Sequence, residues 1–449
     1  MSEESKMDRR VFVTTMAGGL LAACTTLSKK GPLPGGKVVT SPNDRLNIAA
    51  VGIGGMGAHN VKVVGESENI VALCDVDSKY AAKTFAKYPK AEKYQDYRVM
   101  LEKQKDIDAV IIATPDHTHA IIAMAAMQLG KHVYVQKPLT RTVYESRVLT
   151  EAARKYKVAT QMGNQGRSGE GIRLITEWIE DGAIGEVREV YTWTNRPIWP
   201  QGLKRPRKTP RVPRHLDWDL FLGPAPYRPY HPEYHPWNWR AWWDFGTGAL
   251  GDMACHIIDP VFMALKLGYP TKVEASSTPV NNESAPHASI VRYTFPAREG
   301  KPPVRLTWWD GGMMPPRPEE LEPGRRMGDE SGGVLFIGSK GKLMCGCYAK
   351  NPRLISEAKM KAYKRPAKTI PRVEVPHEMD WVLACKGERP ACSDFDYSGP
   401  LSEVVLMGNL AIRTGKQLEW DGENMKVTNN VPEANQYVNP PYREGWKLK

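Results

Sequence analysis

Leu46-Asn-Ile-Ala-Ala-Val-Gly52-Ile-Gly54-Gly55-Met56-Gly57 is the stretch that decides the fold of this 449-residue chain. An apolar run able to fill a buried parallel strand ends in a Gly-x-Gly-x-x-Gly turn, and residues 58–64 can continue as a helix. Those flanks give the glycine pattern its meaning. Gly52 makes the tight turn, Gly54 lets backbone approach a pyrophosphate, and Gly57 lets the helix pack closely on the strand. Gly55 and Met56 open the helix, whose free N–H groups suit phosphate oxygens. A second apolar run, residues 70–74, ends at Asp75, eighteen residues past Gly57. An acid at that point accepts hydrogen bonds from a ribose diol and repels a 2′-phosphate, so the unit predicts NAD as cofactor.

Outward from this unit the alternation continues. Strands are expected at 108–113, 132–135 and 158–162, and helices at 78–87, 120–129 and 143–156, with Gly130 as a C-cap. This is the pattern of a doubly wound parallel sheet. Ligands bind such sheets beyond the carboxyl ends of their strands. The glycine turn, Asp75, Thr114-Pro115-Asp116-His117-Thr118-His119, Gln136-Lys137 and Asn164-Gln165 all fall at such ends.

After residue 170 the character changes. A helix at 171–181 is followed by strand candidates at 186–195, 272–277, 289–295, 304–309, 333–337 and 342–348, several alternating with period two. That suits an open, mainly antiparallel sheet with one face covered. Helices are expected again at 378–386 and 401–415. Between the first two strands lies a Pro- and Trp-rich excursion, residues 196–245, and seven of the thirteen tryptophans fall between Trp193 and Trp243. Long loops in compact domains are usually functional. Aromatic faces suit a sugar ring or aglycone, although plain loop packing explains them equally well.

Composition sets the outer limits. Hydrophobic content of 41% and charged content of 25% are those of a globular protein, and the length favours two domains. The formal charge of +12 is spread along the chain apart from 204–214, and no nucleic-acid module is present. Arg9-Arg10 precedes a short apolar stretch, 16–23, ending in Leu21-Ala22-Ala23-Cys24. The paired arginines resemble a twin-arginine export signal and the second motif a lipoprotein cleavage box. Cys24 would then carry a lipid, and the protein would be a membrane-anchored, periplasm-facing lipoprotein. The expected organisation is a signal at 1–24, a tether at 25–44, a nucleotide-binding domain at 45–168, an α+β substrate domain at 169–420 and an extension at 421–449. The other six cysteines show no metal-site spacing; export permits disulfides, but no pair is assigned.

Gly246-Thr-Gly-Ala-Leu-Gly-Asp252-Met-Ala-Cys-His256-Ile-Ile-Asp259-Pro260 carries the chemistry of the second half. Asp252 and His256 share a helix face, so the carboxylate can orient the imidazole. Asp259 is placed to bind substrate hydroxyls, and Arg167 and Trp199 are further substrate-binding candidates.

Taken together, Gly52–Gly57, Asp75, Ala113-Thr-Pro-Asp-His-Thr-His119, Gln136-Lys137-Pro138 and Asp252-x-x-x-His256-x-x-Asp259 resemble the glucose–fructose oxidoreductase / inositol dehydrogenase (Gfo/Idh/MocA) family over residues 46–420. The resemblance implies an N-terminal Rossmann domain and a C-terminal α/β domain whose open sheet often serves homo-oligomerisation. It implies that Lys137, Asp252 and His256 are the catalytic group, that Thr114, Pro115 and His119 line the cofactor, and that Gln136 and Asn164 lie near it. Gln136 departs from the family, which more often has Glu before Lys-Pro.

The implied reaction is hydride exchange between a sugar carbinol and nicotinamide. His256 would act as base, Lys137 would stabilise alkoxide character, and Asp252 would hold both in register. An NAD-dependent glycosidase working by transient oxidation and elimination uses the same machinery. A non-catalytic sugar-binding lipoprotein is the reading from another class. An exported enzyme would have to keep its NAD tightly bound, because free NAD is not expected outside the inner membrane.

Overall fold

A computed structural model describes residues 44–448. The export segment, Cys24 and nearly all of the expected tether lie outside the described residues. The first sheet is built from β1 (Asn47–Val51), β2 (Asn69–Cys74), β3 (Glu92–Tyr94), β4 (Ala109–Ile112), β5 (His132–Val135) and β6 (Thr160–Met162), in the order β3-β2-β1-β4-β5-β6 with every pairing parallel. The chain therefore runs outward from β1 to one edge, then crosses back to the other. The reversal between β1 and β4 is the switch point at which doubly wound sheets bind ligands. Around this sheet lie helices α1 (Gly55–Val64), α2 (Asp116–Gln128) and α3 (Val143–Tyr156). Helix α3 starts with a reciprocal capping box between Thr142 and Glu145.

The second sheet has nine strands: β7 (Val187–Thr194), β8 (Lys272–Ser277), β9 (Ser289–Phe295), β10 (Val304–Trp309), β11 (Gly332–Gly338), β12 (Lys342–Gly346), β13 (Arg353–Ile355), β14 (Leu418–Asp421) and β15 (Lys426–Val427). All its pairings are antiparallel except β7 with β10. Against it and the first domain pack α4 (Gly248–Ile257), α5 (Asp259–Ala264), α6 (His377–Cys385) and α7 (Phe395–Thr414). The α/β architecture expected from the sequence, a Rossmann sheet followed by an open and mainly antiparallel one, is the architecture observed.

Several boundaries differ for physical reasons. The helix expected from 78 begins only at Ala82, because the Asp77 carboxylate takes the amides of Lys79 and Tyr80 at 2.9 Å each and holds them in a turn. The helix expected from 401 begins at Phe395 and runs through Pro400, capped by Asp394. Gly399 lets it approach α3, since a Cβ there would lie 1.9 Å from the Thr150 hydroxyl. Helix α6 packs on the Rossmann sheet, its Trp381 ring edge-on to Tyr134 at 5.7 Å. Residues beyond 421 form β15, a helix at Pro432–Val438 and a tail that returns to the first domain, where the Tyr442 hydroxyl donates to Glu145 Oε1 at 2.6 Å.

Candidate active site

A cleft runs along the carboxyl ends of β1, β2, β4 and β5. The glycine turn forms its floor. Gly52 sits at φ +77° against the backbone of Ala113, and a Cβ on Gly57 would lie 1.8 Å from the Gly52 carbonyl oxygen. No side chain caps α1, so its first N–H groups, beside Gly54, Gly55 and Met56, are left to the cleft. Asp75 lies at the end of β2, its Oδ2 accepting from the Ile53 N–H and its Oδ1 from the Asp77 N–H, each at 2.9 Å. Burial pushes its carboxyl up to about 6, against the pull of those amides. An uncapped helix start, a cradle that tolerates no Cβ and an acid one strand away fit a dinucleotide's pyrophosphate and ribose.

At the other end of the cleft Lys137 meets Asp252. The ammonium Nζ donates to Asp252 Oδ1 at 2.9 Å and to its carbonyl oxygen at 2.8 Å, linking the end of β5 to α4. Arg240 Nε stands 3.5 Å from the same Oδ1, its guanidinium 4.3 Å over each of the Trp237 and Trp239 rings. Burial alone would raise Asp252, but Lys137 and Arg240 outweigh it and hold the carboxyl below its ordinary value. His256 is one turn further along α4, fully buried, with its ring tilted against Tyr348 at 4.6 Å and Nδ1 without a hydrogen-bond partner. Burial, then the charge of Lys137, hold its pKa well below the ordinary imidazole value. It is therefore neutral near pH 7 and a weaker base than a free imidazole. Lys137 and Asp252 line the cleft, whereas His256 lies behind them and is not part of its wall.

Thr114, Pro115 and Gln136 also line the cleft. His119 does not. Its ring is buried between the carbonyls of Pro138 at 3.0 Å and Thr114 at 2.8 Å, so it braces the loop that Thr114 belongs to. His117 is a similar pin to the carbonyls of Phe221 and Phe245. The remaining expected site residues gather elsewhere. Asn164 donates to Asp259 Oδ2 at 2.9 Å and accepts from Ser393, while the Tyr397 hydroxyl donates to Asp259 Oδ1 and Arg167 lies 3.7 Å over the Tyr397 ring. These groups satisfy one another in the interior and none of them faces the cleft. Trp199 is buried, donating to Gln201.

Sequence reasoning passed over Tyr80, His235, Trp237, Trp239, Arg240 and Trp446, all of which line the cleft. For His235, Trp237, Trp239 and Arg240 the available signal was the excursion at 196–245, and Tyr80 and Trp446 lie outside it. Most of its aromatic residues pack on one another in a small core of their own, but it is pinned beside Asp75 because Asp77 accepts from His215 and His235 at 2.8 Å each.

Gln136 has a structural explanation. Its amide donates to Asn60 Oδ1 at 2.9 Å, and Asn60 donates to Glu378 of α6 at 2.7 Å. The relay already ends in one carboxylate, so an amide at position 136 completes it. Gln136→Glu would leave a buried acceptor facing an acceptor and should cost about 1–3 kcal/mol at neutral pH, read as a lower Tm that recovers on acidification.

Asp116 gives a second pH effect. Burial pushes its carboxyl up from 3.8 to about 7, against the hydrogen bond Thr247 donates to it. Between those values the folded chain holds a proton that the unfolded chain has lost, so this group's contribution to stability falls as pH rises through the window. Asp116→Asn removes the titration and keeps an acceptor for Thr247. In thermal melts the Tm difference, variant minus parent, should grow from about pH 5 to about pH 8.

Comparison with known proteins agrees with this architecture. Two models of one oxidoreductase family match: its NAD-binding Rossmann fold over residues 46–164 and its C-terminal alpha/beta domain over 185–298, together more than half of the chain. The chain is similar to levoglucosan dehydrogenase of Pseudarthrobacter phenanthrenivorans, 28% identical over 42% of this chain and 40% of that protein. It is also similar to a glycosyl hydrolase family 109 protein of Shewanella pealeana, 29% identical over 40% of this chain and 44% of that one. Each alignment thus spans less than half of the relative's length. In fold it resembles the WlbA dehydrogenase of Bordetella pertussis, solved with NADH and UDP-GlcNAcA, at a TM-score of 0.58 and 18% identity over 84% of this chain and 99% of that one. With both domains matched in order, and the glycine cradle and Asp75 where a dinucleotide needs them, the chain belongs to the Gfo/Idh/MocA oxidoreductase family.

Proposed function

We propose that this protein is an NAD-dependent oxidoreductase acting on a ring hydroxyl of a sugar or glycoside. The observation that carries the reading is the Lys137–Asp252 pair, one member from each domain, lining the same cleft as the glycine cradle. NAD, held by residues 52–57 and Asp75, supplies a hydride acceptor at its nicotinamide. Lys137 is placed to hold the reacting oxygen and stabilise its developing negative charge. Asp252 fixes the ammonium and, with Arg240 beside it, stays ionised. His256, neutral and with an unpartnered Nδ1, is the base to which the hydroxyl proton passes. Its ring packs on Tyr348 at 4.6 Å. Trp237, which is exposed at the cleft, offers an apolar surface for the sugar ring.

The redox-neutral alternative, cleavage of a glycoside through transient oxidation and elimination, has one supporting observation: relatives named as family 109 glycosyl hydrolases. Incubation with a panel of glycosides separates the two by product mass, a keto product two units lighter against a free sugar with no net redox change. No product of either kind, with cofactor present, would return the chain to the class of binding proteins.

Export on a twin-arginine signal, a lipid on Cys24, a periplasm-facing position and a homo-oligomer through the open sheet complete the proposal. Export of the folded protein would carry NAD out already bound. Denaturing protein purified without added nucleotide should release NAD(H), and its absence would count against this retention.

A further inference from the structure

Resting on the NAD reading, we propose that Trp446, brought in by the C-terminal tail, forms a wall of the adenine subsite and slows the release of the dinucleotide. Val76 directly follows Asp75, where the ribose diol is expected, and lines the cleft together with Tyr97, Ile122 and Phe221. Those side chains are largely apolar, and the group that follows a ribose at that end of the ligand is a flat aromatic base. Trp446 lines the same cleft, against Arg98 and so beside Tyr97, although it lies 371 residues beyond Asp75 in the chain.

The tail is built to hold it there. The Tyr442 hydroxyl is bound to Glu145 at 2.6 Å, at the start of α3. The Arg443 N–H donates to Pro224 O at 2.9 Å and its guanidinium to Gly223 O at 3.0 Å, with an ion pair to Asp219. The Trp446 N–H closes the turn on Arg443 O at 3.1 Å. Arg98, itself fixed by Asp96, lies 4.6 Å over the indole. An indole held on one side by a guanidinium has little freedom left to lose when a base stacks on it. The tail also joins the Rossmann domain to the excursion, through Tyr442 to Glu145 and Arg443 to Asp219.

The test compares wild type, Trp446→Ala and Trp446→Phe as full-length chains, stripped of nucleotide and refilled. Three probes are titrated: AMP, nicotinamide mononucleotide and NADH, with NADH release followed by its fluorescence during a chase. For Trp446→Ala, AMP affinity should fall roughly 10- to 100-fold, the loss expected for one base–aromatic stack, and NADH release should quicken by a similar factor. Nicotinamide mononucleotide should bind unchanged, and Trp446→Phe should restore AMP binding to within a few-fold of wild type. Equal weakening of AMP and the mononucleotide would mean that the tail is a general brace, and the proposal would fall. So would unchanged AMP binding by the alanine variant. If wild type binds NADH but releases it within seconds, the retention reading fails while the adenine wall stands. If wild type binds none of the three, the NAD reading itself is lost.

Discussion

Lys137→Ala should reduce turnover on any active sugar by roughly 10³-fold, with NADH affinity changed only a few-fold. The ammonium joins the end of β5 to α4 inside the cleft, at 2.9 Å from the Asp252 carboxylate. Removing it takes away the donor placed to meet developing alkoxide charge, while the glycine cradle and Asp75 keep their geometry. The same substitution exposes the electrostatics of Asp252. In the parent, Lys137 and Arg240 hold that carboxyl below its ordinary value, so the pair's stabilisation is present above the unfolded value and is lost as pH falls through the folded one. The variant should therefore melt lower than the parent at neutral pH. The deficit should be below the ~3–5 kcal/mol of a fully buried broken pair, because Arg240 remains 3.5 Å away. The gap should close under acid. Turnover left intact by this substitution would remove Lys137 from the mechanism, and with it the strongest argument for a redox enzyme.

The parts of this molecule that could be read from the sequence are those whose physics is local. A strand that must be apolar, a turn that only glycine can make and an acid at the next strand end are written within residues 46–75, and all three stand where the pattern put them. The edge strand β3 escaped notice because Glu92-Lys-Tyr94 is three residues long and mostly exposed, with no alternation to betray it. Long-range polar partners were beyond reach for a different reason. Asn164, Arg167 and Asp259 carry the residue types of a binding site, but a buried polar group needs a partner, and here Ser393, Tyr397 and the carbonyl of Cys392 supply it. Glu378 completes Gln136's relay from a helix 318 residues after Asn60, and Trp446 reaches the cleft from the last turn of the chain. A motif shows which side chains can do chemistry. Only the packing shows which of them have already spent their hydrogen bonds on one another.

Gly57→Ala should weaken dinucleotide binding and lower stability together. The added methyl would lie 1.8 Å from the Gly52 carbonyl oxygen, 2.9 Å from its carbonyl carbon and 3.2 Å from the Ala113 side chain. Two of these three neighbours are backbone, and that backbone is itself the turn at φ +77° that aims the helix start at the cleft. Relief requires α1 to move away from β1, which separates the free N–H groups from the place where the pyrophosphate must sit. Overpacking a tight contact costs about 1–3 kcal/mol, and here the same displacement also disrupts the ligand's cradle. A loss of NADH affinity of roughly 100-fold, with a Tm lower by several degrees, is the expected result. The control is Gly268→Ala. Nothing lies within 4 Å of a Cβ at that position, and no left-handed backbone strains it, so its affinity and Tm should match the parent. Equal behaviour of the two variants would show that α1 is free to shift without consequence, and the cradle would lose its claim to hold a dinucleotide.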